Sequence, residues 1–188
     1  LVTPIQQTLT NTTNAPILVT FTITPVGSAP ASCAGTPVTE TVLVNPTPSG
    51  TITASAPSVC NGTPVTLTFT ATAGTGNFDI VVNGTTYPNV VSGSVFAMVA
   101  PAMTTTYTLT SITDKGVTPN CSNSSPGSSV TVTVNPRPTA TISGTATICN
   151  GGSTNLSILF TGTGPFTYSI NGGATVVASS NPETVSVS

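Results

Sequence analysis

The chain has 188 residues, only 3% of them Asp, Glu, Lys or Arg, and a net charge of −2, where soluble domains usually carry about a quarter of such residues. Its only cations are Lys115 and Arg137, which excludes nucleic acid and anionic membrane surfaces as expected partners, since both need a basic patch. Mean hydropathy is +0.34, yet no stretch approaches the ~20 consecutive apolar residues that cross a bilayer, so membrane insertion is not expected.

Disorder is the remaining composition-level rival. It goes with low hydrophobicity and high net charge, and this chain has neither. The chain starts at Leu1 without an initiator Met and stops at Ser188 inside strand-like text, so it reads as a mature or excised piece of something longer.

In chain order, the first strand signal is Val19-Thr-Phe-Thr-Ile23, where β-branched and apolar residues alternate with Thr. Cys33 follows, then a second strand over Val38 to Val44 and the segment Asn45-Pro46-Thr47-Pro48. Two prolines with fixed φ and no ladder donor end the strand and continue as a short, stiff connector. Beyond it come Ile52, Cys60 with the turn signal Asn61-Gly62, and the alternating strand Val65-Thr-Leu-Thr-Phe-Thr70. Phe78 precedes Asn83-Gly84, a pair suited to a type I′ hairpin because both central residues need positive φ. Ser92-Gly93 and Lys115-Gly116 mark further turns around an apolar patch at Val95 to Met103 and a strand over Thr106 to Ile112. Cys121 and the strand Val130 to Val134 lead into a second connector, Asn135-Pro136-Arg137-Pro138. Ile142, Cys149, Asn150-Gly151, Leu156, Phe166 and Asn171-Gly172 then repeat what has gone before. No window carries a helical period.

The repetition is systematic. Val42-Leu-Val-Asn-Pro-Thr-Pro48 matches Val132-Thr-Val-Asn-Pro-Arg-Pro138, Val59-Cys-Asn-Gly62 matches Ile148-Cys-Asn-Gly151, and Phe78 with Asn83-Gly84 matches Phe166 with Asn171-Gly172. The copies lie about 90 residues apart, drifting by one or two through small deletions. A simple turn within one domain would not recur at that period. The organisation expected is therefore all-β: tandem immunoglobulin-like β-sandwich modules joined by Pro-rich connectors. Residues 1–45 form the back half of one module, 46–135 a complete module, and 136–188 the front half of the next.

The four cysteines fall into the same scheme. Cys33 is the counterpart of Cys121, and Cys149 of Cys60. The simplest pairing is Cys60–Cys121 within the complete module, worth roughly 4 kcal/mol in the chain-entropy model. Cys33 and Cys149 are then inter-module or inter-subunit cysteines, pairing beyond the two ends or with each other if chains join head to tail. Four buried thiols are the bland alternative. Zinc is not expected, because the chain has neither a C-x-x-C pair nor any His. Structural disulfides imply an oxidising, extracellular compartment.

Candidate chemistry is sparse. Without His the usual general base and triad member are missing. The acids Glu40, Asp79, Asp114 and Glu183 are far apart and form no calcium-loop pattern; each is expected on a solvated loop or strand face rather than across a glycosidase cleft. Asp114-Lys115 invites an isopeptide reading but fits a charged hairpin tip better. Asn-x-Ser/Thr triplets at Asn11, Asn61, Asn83, Asn120, Asn123 and Asn155 arise readily in so Thr- and Asn-rich a chain. The aromatics Phe78, Tyr87, Phe96, Tyr107, Phe160, Phe166 and Tyr168 are expected in the core, since Phe78 and Phe166 occupy matched positions. No catalytic, cofactor or metal residue is assigned.

The string Val132-Thr-Val-Asn-Pro-Arg-Pro-Thr-Ala-Thr-Ile-Ser-Gly-Thr-Ala-Thr-Ile-Cys-Asn-Gly-Gly-Ser153 resembles the PKD-like and Ig-like repeats of giant Bacteroidetes surface proteins. So does Leu9 to Pro25, followed by Cys33 and the connector. The resemblance implies export, often by the type IX route, and service as spacer or adhesive units on the cell surface, as in gliding adhesins. It brings no catalytic residues. The function expected is a structural repeat segment of an extracellular adhesin or filament, non-enzymatic, with neighbouring modules or identical subunits as partners. The alternatives are a carbohydrate- or protein-binding module, and an accessory domain of a secreted polysaccharide-degrading enzyme.

Overall fold

The computed structural model describes residues 6–188, and residues 1–5, part of the expected first half-module, lie outside it. The described residues form sixteen strands and no helix, and no helix is long and apolar enough to cross a membrane. The Thr-rich alternation is the cause: it places β-branched and apolar side chains on one face of each strand and hydroxyls on the other. Two compact units result, Leu1–Thr133 and Val134–Ser188.

In the first unit, β1 (Ile17–Ile23) and β2 (Val38–Val44) form an antiparallel hairpin from Ile17 opposite Val44 to Ile23 opposite Val38. The stretch expected as the complete module follows. Its first sheet has the order β3 (Ser49–Ala54), β5 (Val65–Ala73), β8 (Ser94–Val99). Its second runs β4 (Ser58–Cys60), β11 (Ser129–Asn135), β9 (Thr105–Asp114), β6 (Phe78–Val82), β7 (Thr85–Val90), with β10 (Cys121–Asn123) also on β9. The two sheets share one core: Ile52 and Phe69 from the first meet Phe78, Ile80, Val82, Val90, Leu109 and Ile112 from the second. Phe69 and Phe78 pack edge to face at 5.4 Å, the geometry aromatic quadrupoles favour.

Turn chemistry matches the residues that make it. Asn83 and Gly84 have φ of 48° and 80°, and Asn171 and Gly172 have 49° and 71°, the left-handed pair a type I′ hairpin requires. Asn61-Gly62 differs: only Gly62 has positive φ, and Thr63 N–H closes the turn on the Cys60 carbonyl at 3.0 Å. The counterpart at Cys149 closes in the same way, through Gly152 N–H to the Cys149 carbonyl at 2.8 Å.

In the second unit, β12 (Thr139–Ser143), β13 (Thr154–Thr161) and β16 (Glu183–Val187) form one sheet in that order, and β14 (Thr167–Tyr168) pairs with β15 (Val176–Val177). The first of these sheets reproduces the register of the complete module. Ile142 faces Ile158 as Ile52 faces Phe69, and Ile158 faces Glu183 as Phe69 faces Ser94. No described strand of this unit corresponds to β4, β9 or β11.

Candidate functional site

Three of the four carboxylates hold structural hydrogen bonds. Asp114 was expected in solvent, but it is 1% exposed. Its carboxylate accepts the backbone N–H groups of Thr75 and Gly116, each at 2.8 Å, so it ties the loop after β5 to the loop after β9. Asp79 accepts the Asn89 N–H at 2.9 Å and pairs with Lys115 at 3.5 Å, so the lysine just after β9 makes its ion pair to the neighbouring strand β6. Glu183 is also largely covered. Backbone N–H donation from Ser180 holds its carboxyl below the usual range, aided by Ser179 and both hydroxyls and opposed by partial burial. Glu40 lies on β2 opposite Phe21. Burial, with Tyr87 nearby, pushes the Tyr107 phenol up. Among the described residues no group of three or more His, Cys, Asp or Glu gathers to hold a metal.

Three of the Asn-x-Ser/Thr asparagines use their side chains internally. Asn83 bridges the Thr106 carbonyl and the Thr108 N–H, Asn123 donates to the Pro48 carbonyl at 3.0 Å, and Asn11 donates to the carbonyls of Ala15 and Val44.

All four cysteines are unbonded thiols, and the expected Cys60–Cys121 bridge is not formed. The sheet explains why. Cys121 stands opposite Asp114, at the far end of β9, beside the connector that Asn123 binds. Cys60 lies at the other end: Gly62 N–H donates to the Pro101 carbonyl just before β9 begins, and Thr133 N–H to the Pro57 carbonyl near the end of β11. Nine residues of strand separate Thr105 from Asp114, roughly 30 Å at ~3.3 Å per residue, whereas a disulfide needs Cα atoms about 5–6 Å apart. The repeat positions of the cysteines were legible; the side-to-side crossings that send them to opposite ends were not.

What stands out instead is a pair of open apolar faces. The β1–β2 hairpin is the counterpart of β9 and β11. Val19 faces Val42 as Thr105 faces Val132, and Phe21 faces Glu40 as Tyr107 faces Val130. In the complete module Leu109 and Val132 are 1% and 0% exposed; their counterparts Ile23 and Val42 are 47% and 40% exposed. With Leu9, Phe21 and Glu40 they line a hollow of about 360 Å³. Among the described residues no second sheet covers this face, whereas the β3–β5–β8 sheet shares its core with β9.

Among the described residues, the second unit has counterparts of β3, β5, β8, β6 and β7, and none of β9 and β11. Ile52 is 3% exposed and its counterpart Ile142 61%. Pro48 is fully buried, whereas Pro138 is exposed and lines a hollow of about 290 Å³ with Phe160, Phe166 and Tyr168. Phe160 and Phe166 stack at 5.0 Å, and Phe166 is half-buried where Phe78 is fully covered. Thr147–Cys149 carries the text that matches β4 without forming a strand, and no described strand of this unit corresponds to β11, on which β4 pairs. The aromatics Tyr87 and Phe96 pack edge to face at 4.9 Å against the core of the complete module.

The chain matches no family model, no curated protein and no solved structure.

Proposed function

We propose that this chain is a structural repeat segment of an extracellular adhesin or filament, built of immunoglobulin-like modules and assembling by completing split modules head to tail. The observation that carries the reading is the recurrence of one strand register: among the described residues, the β1–β2 hairpin keeps the register of β9 and β11, and β12, β13 and β16 keep that of β3, β5 and β8. The hairpin of one copy, set against the Val134–Ser188 unit of another, supplies the missing half of a sandwich. Such an addition satisfies open edge hydrogen bonds and buries Ile23, Val42 and Ile142 together. The near-absence of charge suits this role, because adjoining copies repel little. The absence of His and the structural use of Asp114, Asp79 and Glu183 speak for a non-enzymatic part. The extracellular placement rests on the resemblance to secreted surface repeats.

The stack of Phe160 and Phe166 favours a second reading, a glycan-binding face on the second unit. Its weakness is that Phe166 corresponds to the core residue Phe78. Size-exclusion chromatography with light scattering and negative-stain microscopy, on the full chain with reductant present, separate the two. Head-to-tail completion yields concentration-dependent filaments; a chain that stays monomeric at high concentration and is retained on polysaccharide columns would overturn the assembly reading.

A further inference from the structure

The strands β7 and β8 each carry a β-bulge, and neither bulge recurs in the Val134–Ser188 unit. In β7, Phe78 pairs with Val90 but Ile80 with Tyr87, so Asp79 faces both Pro88 and Asn89. Asn89 takes a φ of 54° there, a left-handed value inside a strand. Its N–H donates to Asp79 Oδ1 at 2.9 Å, and Lys115 holds the other carboxylate oxygen at 3.5 Å. In β8, Thr68 pairs with Val95 and Leu67 with Ala97, which leaves Phe96 as the extra residue. The matching strands run straight. Thr167 pairs with Val177 and Tyr168 with Val176, and Ser157 pairs with Thr184 and Leu156 with Val185. Phe96 thus has no counterpart at all, and the counterpart of Asn89 is Val177. What the fold needs recurs in both copies, as the left-handed Asn-Gly hairpins and the Ile52 and Ile142 registers do. A bulge held in one copy alone re-aims side chains for something other than the fold.

Both bulges open on one cleft. β7 is the edge of one sheet and β8 the edge of the other, and Tyr87 and Phe96 touch across them edge to face at 4.9 Å. Between the edges lies an open hollow of about 300 Å³, to which Tyr87, Pro88, Asn89, Ser94 and Phe96 contribute. Both rings are partly exposed, and Asn89 is exposed, its carboxamide bonded to no described residue. No charged side chain lines the hollow, so an ionic ligand gains no partner there. A peptide strand is disfavoured on either edge: Pro88 has no N–H to donate, and the bulges break the even row of backbone groups that a ladder needs. What fits is a neutral ligand with flat apolar faces and a fringe of hydroxyls. We infer that this cleft binds a neutral oligosaccharide. A sugar ring sets its C–H groups against the exposed parts of Tyr87 and Phe96, whose ring faces carry negative charge density. The Asn89 carboxamide donates to one hydroxyl and accepts from another, on a bulge that Asp79 and Lys115 hold in place. The site is separate from the Phe160–Phe166 face. It lies wholly within one module, so it stands independently of how copies assemble.

The test uses the full 188-residue chain with reductant present. The probes are cellohexaose, xylohexaose, mannohexaose and laminarihexaose, with trigalacturonate as the charged comparison. Titration calorimetry reads the affinity and amide-resolved NMR places it. At least one neutral hexasaccharide is expected to bind and to shift the amides of Tyr87, Asn89, Val91 and Phe96, while trigalacturonate shifts none of them. Asn89→Gly tolerates the positive φ and keeps the N–H bond to Asp79, and removes only the carboxamide. It is expected to weaken binding about 10-fold, the worth of two neutral hydrogen bonds, with the rest of the spectrum unchanged. Phe96→Leu keeps apolar bulk and removes the ring, and is expected to weaken binding as well. The inference is overturned if none of the four neutral sugars binds at millimolar concentration, or if Asn89→Gly binds as tightly as the natural chain. It is equally overturned if the shifts gather at Thr167 and Tyr168, which puts the sugar on the second unit. A chain that binds no sugar yet forms filaments overturns this inference and leaves the assembly reading standing.

Discussion

Leu109 and Ile23 occupy the same repeat position in two environments, and truncating each to Ala separates them. Leu109 is 1% exposed in the shared core of the complete module. Leu109→Ala removes its burial and leaves a cavity, a loss of about 2–5 kcal/mol for such sites. For a module of this size, ~1 kcal/mol corresponds to about 4–8 °C, so the module is expected to melt at least ~10 °C lower. Ile23 is 47% exposed, and no sheet faces it. Full burial of such a side chain is worth about 1.5–3 kcal/mol, so Ile23→Ala is expected to remove ~1 kcal/mol or less from the dilute monomer, without a cavity term. In the assembly proposed above, the face that Ile23 presents would become core. The variant there loses the rest of the burial and gains a cavity, ~2 kcal/mol more, which weakens association about 30-fold. Differential scanning calorimetry of dilute, reduced protein and sedimentation velocity over a concentration series read the two effects. The reasoning fails if Ile23→Ala lowers the monomer's melting as far as Leu109→Ala does, or if it leaves the association threshold where it was.

Asp114→Ala removes the buried carboxylate that accepts the N–H groups of Thr75 and Gly116, and is expected to destabilise the module by about 2–4 kcal/mol in chemical denaturation. Asn83→Ala loses two hydrogen bonds and places a side chain that resists the left-handed region at φ 48°; a loss of about 1–3 kcal/mol is expected by the same measurement. Glu183 has its carboxyl held below the ordinary 4.5, so its contribution is fully present above that value and lost as pH falls through the lowered one. An amide-resolved NMR titration is expected to show Ser179 and Ser180 N–H signals moving only below about pH 4.5, and to show no such step in Glu183→Gln.

Much of the architecture was written in local pattern. Alternating Thr and Val identify strands such as β5 and β11 because the side-chain period of a strand is two. Asn83-Gly84 and Asn171-Gly172 mark hairpins because few other pairs tolerate positive φ twice. Burial was less readable. Asp114 looks like any loop acid until two loops close over it and turn their N–H groups toward its carboxylate. Val42 and Val132 stand in matching text, yet one is exposed and the other buried, because burial depends on whether a second sheet lies across the face.

From the residues alone come the all-strand character, the near-ninety-residue period and the matched cysteines, since each follows from which residue recurs where. Which end of a module each cysteine occupies came only from the folded chain. The strand β9 runs about 30 Å from one end to the other, so Cys60 and Cys121 are carried to opposite poles by crossings that no spacing along the sequence records. A count of residues between two positions measures the path of the chain, and a sandwich sets the distance between its poles by which strands lie side by side.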